Sequence, residues 1–202
     1  MPSEIPFRIA LVIVIALAMG VTLHYRLQAA ASGERISRKE EGHIFAITLR
    51  LTGICLWIAT FAYLIFPSSV QWASLPLHKN IRWMGVAGGV ACTVLMYWSL
   101  HSLGRNHTDT VVTRKDATLV TNGPYRWVRH PFYVTAALLM ASVTVLTANW
   151  LIGLTSLAVL ALLAIRTPKE ERLLIERFGQ QYREYMARTG RFVPKMRWRT
   201  WC

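Results

Sequence analysis

Acidic residues and cysteines are scarce in this sequence, and their scarcity excludes several classes of protein. Of the 202 residues, 10 are Asp or Glu and 23 are Lys or Arg, so the formal net charge is +13. The cysteines Cys55, Cys92 and Cys202 form no CxxC pair and no disulfide framework. The six histidines lack the spacing of a zinc site. We therefore expect neither a disulfide-stapled secreted domain nor a bound metal.

The excess of positive charge is by itself compatible with nucleic-acid binding. Its distribution favours a membrane instead, because the cations cluster in a few segments separated by long uncharged runs. Hydrophobic residues make up 53% of the chain. Basic segments that flank apolar spans are typical of integral membrane proteins in contact with anionic lipids. We predict an all-α integral membrane protein whose partners are membrane lipids, and no nucleic-acid partner.

The longest uncharged run, residues 132–165, is too long for one transmembrane helix. As a single helix it would measure about 50 Å, against about 30 Å for the hydrocarbon core. Two shorter helices that turn near residues 147–150 fit better, as a tight hairpin. The first apolar run lacks a clear cleavage site, so we expect it to be a retained span. The sequence thus predicts a single membrane domain, 1–202, with five spans at about 5–25, 44–66, 81–103, 132–147 and 150–165.

The basic residues predict the orientation of these spans. Three segments, 26–39, 105–129 and 166–199, hold most of the Lys and Arg residues. With five spans these segments share one side of the membrane, whereas four spans would place the basic C-terminal segment on the other side. By the positive-inside rule, the N-terminus is outside and the C-terminus is cytoplasmic. For a bacterial host this predicts the inner (plasma) membrane.

Two polar cytoplasmic segments, 104–133 and 166–194, adjoin the predicted hairpin at its two ends. Because a hairpin brings its ends together, "GPYRWVRHP" at 123–131 and "RTPKEERLL" at 166–174 should be neighbours. The apolar residues that follow recur at helical spacing and predict an amphipathic C-terminal helix against the protein or the membrane surface. These residues are Leu174, Phe178, Tyr182 and Tyr185.

The residues around Pro168 allow two local structures. Thr167 and Glu170 fit a capping box in which Pro168 is the first residue of a new helix. Alternatively the preceding helix continues with a kink at Pro168, and Arg166 and Glu170 then share one face. Either structure brings an arginine and a carboxylate to the membrane edge, where they can bind a zwitterionic or anionic ligand.

Several other polar residues also allow two interpretations. Asn122-Gly123-Pro124-Tyr125 has the composition of a turn, and Pro131 suits the first turn of a helix. Arg126, Arg129 and His130 are then either interfacial anchors or site residues. Arg50, inside the second span, either snorkels to the interface or lines a polar cavity.

The turn and the segment after it resemble the core motif of the isoprenylcysteine carboxyl methyltransferase family. The matching residues are "LVTNGPY" at 119–125 and "VRHPFY" at 128–133. "RTPKEERLLIERFGQQYREYMARTGRFVP", which begins at Arg166, is similar to the C-terminal region of the same family. "LGRN" at 103–106 is similar to its prokaryotic members. The specific resemblance covers residues 103–194.

The resemblance implies an integral membrane enzyme that transfers a methyl group from S-adenosylmethionine to an amphiphilic or lipid-like acceptor. For the family, this acceptor is the carboxylate of a prenylated thiol compound, which would enter from the bilayer. Arg166 would be the catalytic residue on the substrate side. Ala117 departs from the family, which often has histidine there. The cofactor-binding residues implied are Thr118, Leu119, Val120, Tyr125, His130, Pro131, Phe132, Tyr133 and Glu170.

The chemistry of these side chains agrees with the implied cofactor. A carboxylate such as Glu170 suits the amine of S-adenosylmethionine, aromatic rings suit its adenine, and cations such as His130 or Arg129 suit its carboxylate. The sulfonium is already activated, so catalysis requires mainly positioning and no metal. An amine or thiol acceptor would also need a base, and the sequence shows no clear one.

Two other functions compete with methyl transfer. Sterol-reductase-like membrane proteins share an Arg-His-Pro-x-Tyr segment and use NADPH, although they usually read His-Pro-Asn-Tyr where this chain has His-Pro-Phe-Tyr. A non-enzymatic membrane partner protein that keeps the same fold is the third hypothesis, and Ala117 leaves room for it.

Overall fold

The computed structural model describes residues 4–31, 43–103 and 118–195, and within these ranges its regular structure is helical. Four of the helices are long and apolar enough to cross a membrane, and α4 is a shorter apolar helix of 17 residues. The all-α membrane fold predicted from composition is confirmed. The helices are α1 (Ile5–Ala31), α2 (His43–Ile65), α3 (Lys79–Leu103), α4 (Pro131–Thr147), α5 (Trp150–Phe178) and α6 (Gln180–Arg188).

The predicted hairpin between α4 and α5 is present, and its turn has a clear local cause. Ala148 adopts the left-handed conformation (φ 48°, ψ 45°), which ends α4. The side-chain oxygen of Asn149 then accepts hydrogen bonds from the backbone N–H of Leu151 (3.1 Å) and Ile152 (3.2 Å), and so caps α5. Its amide nitrogen donates to the carbonyl of Val70, which attaches a short 3-10 helix (Pro67–Ala73) to the turn.

Helix α5 does not end at residue 165, as the predicted span would have it, but continues to Phe178 with Pro168 in its interior. The Thr167 hydroxyl donates to the carbonyl of Leu163 (2.9 Å), as it does inside a helix, and does not cap a new one. The capping-box interpretation is therefore wrong and the continuous helix is the structure adopted. Gly179, with φ 56°, separates α5 from α6.

Glycines on α3 allow close packing against its neighbours within the chain. A Cβ atom at Gly85 would lie 2.6 Å from the backbone nitrogen of Leu146 on α4. A Cβ atom at Gly89 would lie 2.9 Å from Cγ1 of Val14 on α1. Both distances are too short for carbon contacts, so the side chains must be absent for these helices to approach as they do. Leu11, Val14, Leu146 and Ile152 form part of the buried core beside this contact.

A buried ion pair joins four helices at one end of the bundle. Both terminal nitrogens of Arg82 donate to the two carboxylate oxygens of Glu4, at 2.7 and 2.8 Å. Nη2 of Arg82 also donates to the Tyr63 hydroxyl (3.0 Å), and its Nε donates to the carbonyl of Leu146 (2.9 Å). We call Glu4, Tyr63 and Arg82 the α1–α3 latch. It connects α1, α2, α3 and α4 at the end where α4 finishes.

Candidate functional site

The opposite end of the bundle, where α3 finishes and α4 begins, holds the turn singled out in the sequence. Gly123 has φ 56° in the short 3-10 helix Gly123–Arg126. A Cβ atom there would collide with the side chain of Ser102 on α3, so the turn requires glycine both for its backbone conformation and for space. The turn is also attached to α6, because the Tyr185 hydroxyl donates to the carbonyl of Tyr125 at 2.6 Å.

The first residues of α4 place two rings side by side. Pro131 is the first residue of the helix, as predicted, and needs no hydrogen-bond donor there. The rings of His130 and Tyr133 stack with their centroids 5.5 Å apart and their planes 8° apart. His130 is buried, and Tyr133 is partly buried. This pair forms one wall of the candidate site.

Glu170 of α5 lies directly across from this wall. Its Oε2 accepts a 2.8 Å hydrogen bond from the Tyr133 hydroxyl, and its Oε1 is 4.0 Å from Nδ1 of His130. The Glu170 side chain is 24% exposed, so it is less buried than the neighbouring Glu171 at 3%. Arg166 is partly buried one helical turn earlier. The two polar segments are therefore in contact across the hairpin, as its topology predicts.

Glu171, next to Glu170, is the buried centre of the ionic contacts at this end. Its Oε1 accepts from Nε of Arg129 (2.8 Å) and lies 3.3 Å from Nε2 of His130. Its Oε2 accepts from Nε (3.1 Å) and Nη2 (2.5 Å) of Arg191. The Glu171 side chain is only 3% exposed. Three cationic or potentially cationic side chains thus converge on one carboxylate.

The segment that follows α6 lies against the start of α4. The backbone N–H of Arg129 donates to the carbonyl of Gly190 (2.8 Å), and that of His130 donates to the carbonyl of Arg191 (3.1 Å). The ring of Phe192 lies 5.8 Å from that of His130. The C-terminal segment therefore covers the His130 side of the site.

Buried tyrosines surround the charged residues. Burial raises the pKa of Tyr125, Tyr182 and Tyr185 above the ordinary range, so all three phenols stay protonated and able to donate. Tyr182 and Tyr185 face the protein rather than the membrane surface, and Tyr182 is 2% exposed. Its hydroxyl has no hydrogen-bond partner among the described residues.

The structure brings some of the predicted site residues together and leaves others apart. His130, Tyr133 and Glu170 meet directly. The backbone from Thr118 to Val120 precedes the turn without helix or strand structure, and Thr118 is exposed. Ala117 and the residues before it in the predicted polar segment, 104–116, lie outside the described residues. Pro131 and Phe132 lie between His130 and Tyr133 in the sequence, and the centroid of the Phe132 ring is 6.2 Å from that of Tyr133.

The arginines whose role the sequence left open have different surroundings in the structure. Arg129 faces inward and binds Glu171, and its Nη1 also donates to the carbonyl of Thr189. Arg126 is exposed, with its guanidinium carbon 4.1 Å from the ring centroid of Trp127. Arg50 is exposed on α2, which agrees with snorkelling.

Three further residues lie at this site that the sequence did not predict: Glu171, Arg191 and Tyr182. The available signal for Glu171 was its position next to Glu170, because the sequence places both carboxylates in the polar segment that begins at Arg166. Arg191 lies 20 residues further along the chain, and no periodic pattern connects it to α5.

The part of the chain that contains most of these residues is similar in sequence to known proteins. Residues 85–176 match the model of the isoprenylcysteine carboxyl methyltransferase (ICMT) family. Over these residues, which are less than half of the chain, the sequence is similar to the ICMT family. The matched part contains the turn, the His130–Tyr133 pair and both glutamates. The resemblance stated from the sequence motifs is thereby confirmed.

The curated relatives that the chain matches are covered by it to different extents. The human protein-S-isoprenylcysteine O-methyltransferase is 33% identical over 125 residues, which are 59% of this chain and 44% of the human protein. The chain therefore spans less than half the length of this relative. A cobalt-zinc-cadmium resistance protein, CzcN of Cupriavidus metallidurans, is 32% identical over 163 residues, 74% of this chain and 66% of that protein.

A solved structure shares the fold. The eukaryotic intramembrane Ras methyltransferase ICMT superposes with a TM-score of 0.55 over 92% of this chain and 67% of that chain, at 22% identity. At this identity, the likeness concerns the fold. It supports the helical membrane architecture derived above from the apolar helices.

Proposed function

We propose that this protein transfers a methyl group from S-adenosylmethionine to an amphiphilic or lipid-like acceptor, such as the carboxylate of a prenylated thiol compound. The observation that carries the proposal is the position of Glu170. Its carboxylate is held by Tyr133 opposite His130, within the part of the chain that matches the ICMT family model. The names of the relatives support methyl transfer as the reaction.

The residues at this corner fit S-adenosylmethionine, which when bound supplies an activated methyl group on a sulfonium. Glu170 keeps an accessible carboxylate oxygen that suits an ammonium group. Phe132, Tyr133 and His130 offer ring faces or edges for an adenine. Thr118, Leu119, Val120, Tyr125 and Pro131 would complete the pocket, as the family motif implies.

Arg166 would orient the acceptor. It lies four residues before Glu170 on a continuous helix, so the two side chains project from neighbouring turns. A guanidinium can hold a carboxylate through two parallel hydrogen bonds and so fix the direction of its attacking oxygen. We propose that Arg166 acts in this way, and that the chain contributes mainly position and exclusion of water.

An amphiphilic acceptor agrees with the interior of the bundle. A cavity of about 470 Å³ lies between α1, α2, α3, α4 and α5, and it is lined mostly by apolar side chains. Arg26 and Ser156 are among its few polar lining residues. An acyl or isoprenoid chain would displace little water from such a surface and would gain apolar contact. We propose that the apolar part of the acceptor enters this cavity from the bilayer.

We also propose the orientation that the basic residues indicate, with the N-terminus outside and the candidate site at the cytoplasmic face. In a bacterial host the membrane would be the inner membrane. The α1–α3 latch would then lie at the outer face. Cysteine labelling with a membrane-impermeant reagent, at a cysteine introduced at Ser69, tests this arrangement: labelling of intact cells is expected, and protection until the cells are opened would contradict it.

Ligand binding and methyl transfer test the reaction. We expect S-adenosylhomocysteine to raise the melting temperature of the detergent-purified protein, and labelled S-adenosylmethionine to label a component of a membrane lipid extract. Glu170→Gln should remove the melting shift, whereas Glu176→Gln, an exposed glutamate further along α5, should keep it. Absence of binding at millimolar S-adenosylhomocysteine would contradict the proposal. Protection by NADPH instead would favour the reductase.

A further inference from the structure

Glu171 differs from Glu170 in what it contacts. The Glu170 side chain is 24% exposed, whereas Glu171 is buried, receives hydrogen bonds from Arg129 and Arg191, and lies 3.3 Å from Nε2 of His130. Because its side chain is only 3% exposed, Glu171 can act on a bound ligand only through a residue that it contacts. The residue in question is His130, whose ring lies between the two glutamates.

The chemistry of the contact determines which nitrogen of His130 carries hydrogen. A carboxylate held between two guanidinium groups stays ionised, and an ionised carboxylate can only accept hydrogen bonds. Nε2 of His130, 3.3 Å from Oε1 of Glu171, must therefore be the protonated nitrogen. In the neutral imidazole, the lone pair is then on Nδ1. Nδ1 faces Glu170, with 4.0 Å between Nδ1 and Oε1.

We propose that Glu171 is a positioning residue that fixes His130 as its Nε2–H tautomer and so presents the Nδ1 lone pair beside the Glu170 carboxylate. Two acceptors 4.0 Å apart can both accept hydrogen bonds of about 2.9 Å from a single nitrogen between them. The pair His130 and Glu170 therefore forms a receptor for an ammonium group. This inference rests on the proposed function only for the identity of that ammonium group, which would be the amino group of S-adenosylmethionine.

This assignment makes His130 a hydrogen-bond acceptor for the ligand, whereas the sequence led us to expect a cation. There, His130 and Arg129 were expected to supply positive charge for the carboxylate of the ligand. Nε and Nη1 of Arg129 are instead engaged by Glu171 and by the carbonyl of Thr189. His130 directs its N–H to Glu171 and an acceptor to the site. The ligand carboxylate must then be bound by donors other than Arg129 and His130.

The tautomer can be measured without any ligand. The full-length protein, labelled with ¹⁵N-histidine in detergent, is studied by NMR at about pH 9, where histidine is ordinarily neutral. The His130 signals are assigned by their loss in His130→Gln. We expect Nε2 to carry the proton and Nδ1 to be bare. A proton on Nδ1, alone or together with one on Nε2, would overturn the proposal, whether or not S-adenosylmethionine is the ligand.

A double-mutant cycle separates positioning from simple stabilisation. Affinity for S-adenosylhomocysteine is measured below the melting temperature for Glu171→Gln, His130→Gln and the double variant. If Glu171 acts through His130, the effects are coupled: Glu171→Gln lowers the affinity about tenfold alone but less than about threefold in the His130→Gln background. Glu176→Gln should change nothing.

The other outcomes of the cycle count against the proposal. Additive losses of affinity would mean that Glu171 does not act through His130. A lower melting temperature with unchanged affinity would mean that Glu171 is only structural. If Glu171→Gln does not fold, the NMR measurement on the wild-type protein decides the matter. If no variant binds S-adenosylhomocysteine, the proposed function fails while the tautomer remains testable.

Discussion

The Tyr133 hydroxyl donates a 2.8 Å hydrogen bond to Oε2 of Glu170, and this contact joins the beginning of α4 to the charged part of α5. The two residues are 37 positions apart, separated by the whole hairpin. The contact holds the Glu170 carboxylate in place while its other oxygen faces His130.

Tyr133→Phe should weaken ligand binding without unfolding the protein. The substitution keeps the ring that stacks on His130 and removes only the hydroxyl that holds Glu170. A hydrogen bond to a charged group contributes about 1.5–3 kcal/mol to stability. Because Glu170 would then have to be ordered by the ligand itself, we expect a loss of affinity for S-adenosylhomocysteine of up to about tenfold. Calorimetric titration measures it. An unchanged affinity would show that Glu170 needs no support from Tyr133.

Arg82→Met should destabilise the protein while ligand affinity in the folded state stays the same. The substitution leaves Glu4 without its bidentate partner and the carbonyl of Leu146 without its side-chain donor. Removing one member of a largely buried pair costs about 3–5 kcal/mol, and less here because Glu4 is 30% exposed. Thermal unfolding measures the loss. A change in affinity would indicate coupling between the two ends of the bundle.

The α1–α3 latch should also be sensitive to acid. Hydrogen bonding from Arg82 lowers the pKa of Glu4, an effect larger than the opposing effect of burial. Because the folded pKa lies below the unfolded one, the stabilisation is complete above the ordinary glutamate pKa of about 4.3 and is lost as the pH falls below it. The melting temperature of the wild type should exceed that of Glu4→Gln at neutral pH, and the difference should shrink as the pH falls toward about 3. A constant difference would contradict this.

Gly85→Ala should destabilise the contact between α3 and α4. The added methyl group would lie 2.6 Å from the backbone nitrogen of Leu146, which cannot move without displacing α4. Overpacking of this kind costs about 1–3 kcal/mol. Gly20→Ala is the matched control, because a Cβ atom at Gly20 has nothing within 4 Å, and it should be neutral or slightly stabilising. Equal melting temperatures for the two variants would mean that α3 and α4 can move apart at little cost in stability.

Ser156→Leu should affect the acceptor and not the methyl donor. Ser156 is 4% exposed on α5, lines the apolar cavity, and its hydroxyl has no partner among the described residues. A leucine there would fill part of the space that we propose for the apolar chain. We expect a several-fold higher KM for an isoprenoid acceptor and an unchanged affinity for S-adenosylhomocysteine. Unchanged KM would place the acceptor elsewhere.

The sequence predicted the membrane fold well because a bilayer leaves few alternatives. Backbone polar groups within lipid must be satisfied internally, so an apolar run of suitable length becomes a helix. The turn residues near Asn149 marked the hairpin for similarly local reasons. The turn at Gly123 and the start of α4 at Pro131 also followed from conformations that these residues prefer.

The structure around Pro168 could not be predicted in the same way. A capping box and a continuous helix are both compatible with Thr167, Pro168 and Glu170, and the choice depends on tertiary contacts. Continuation of α5 brings Glu170 within hydrogen-bond distance of Tyr133 and Glu171 within hydrogen-bond distance of Arg129. A new helix beginning at Pro168 would have been free to rotate these carboxylates away.

The sequence by itself determined the helices, the hairpin and the family motif, because each depends on neighbouring residues or on the length of an apolar run. Only the tertiary structure decided the partners of charged side chains. Adjacent residues on a helix point about 100° apart, so the roles of Glu170 and Glu171 depend on how α5 is rotated against α4. The Glu4–Arg82 pair spans 78 residues, and no pattern in the sequence connects its members.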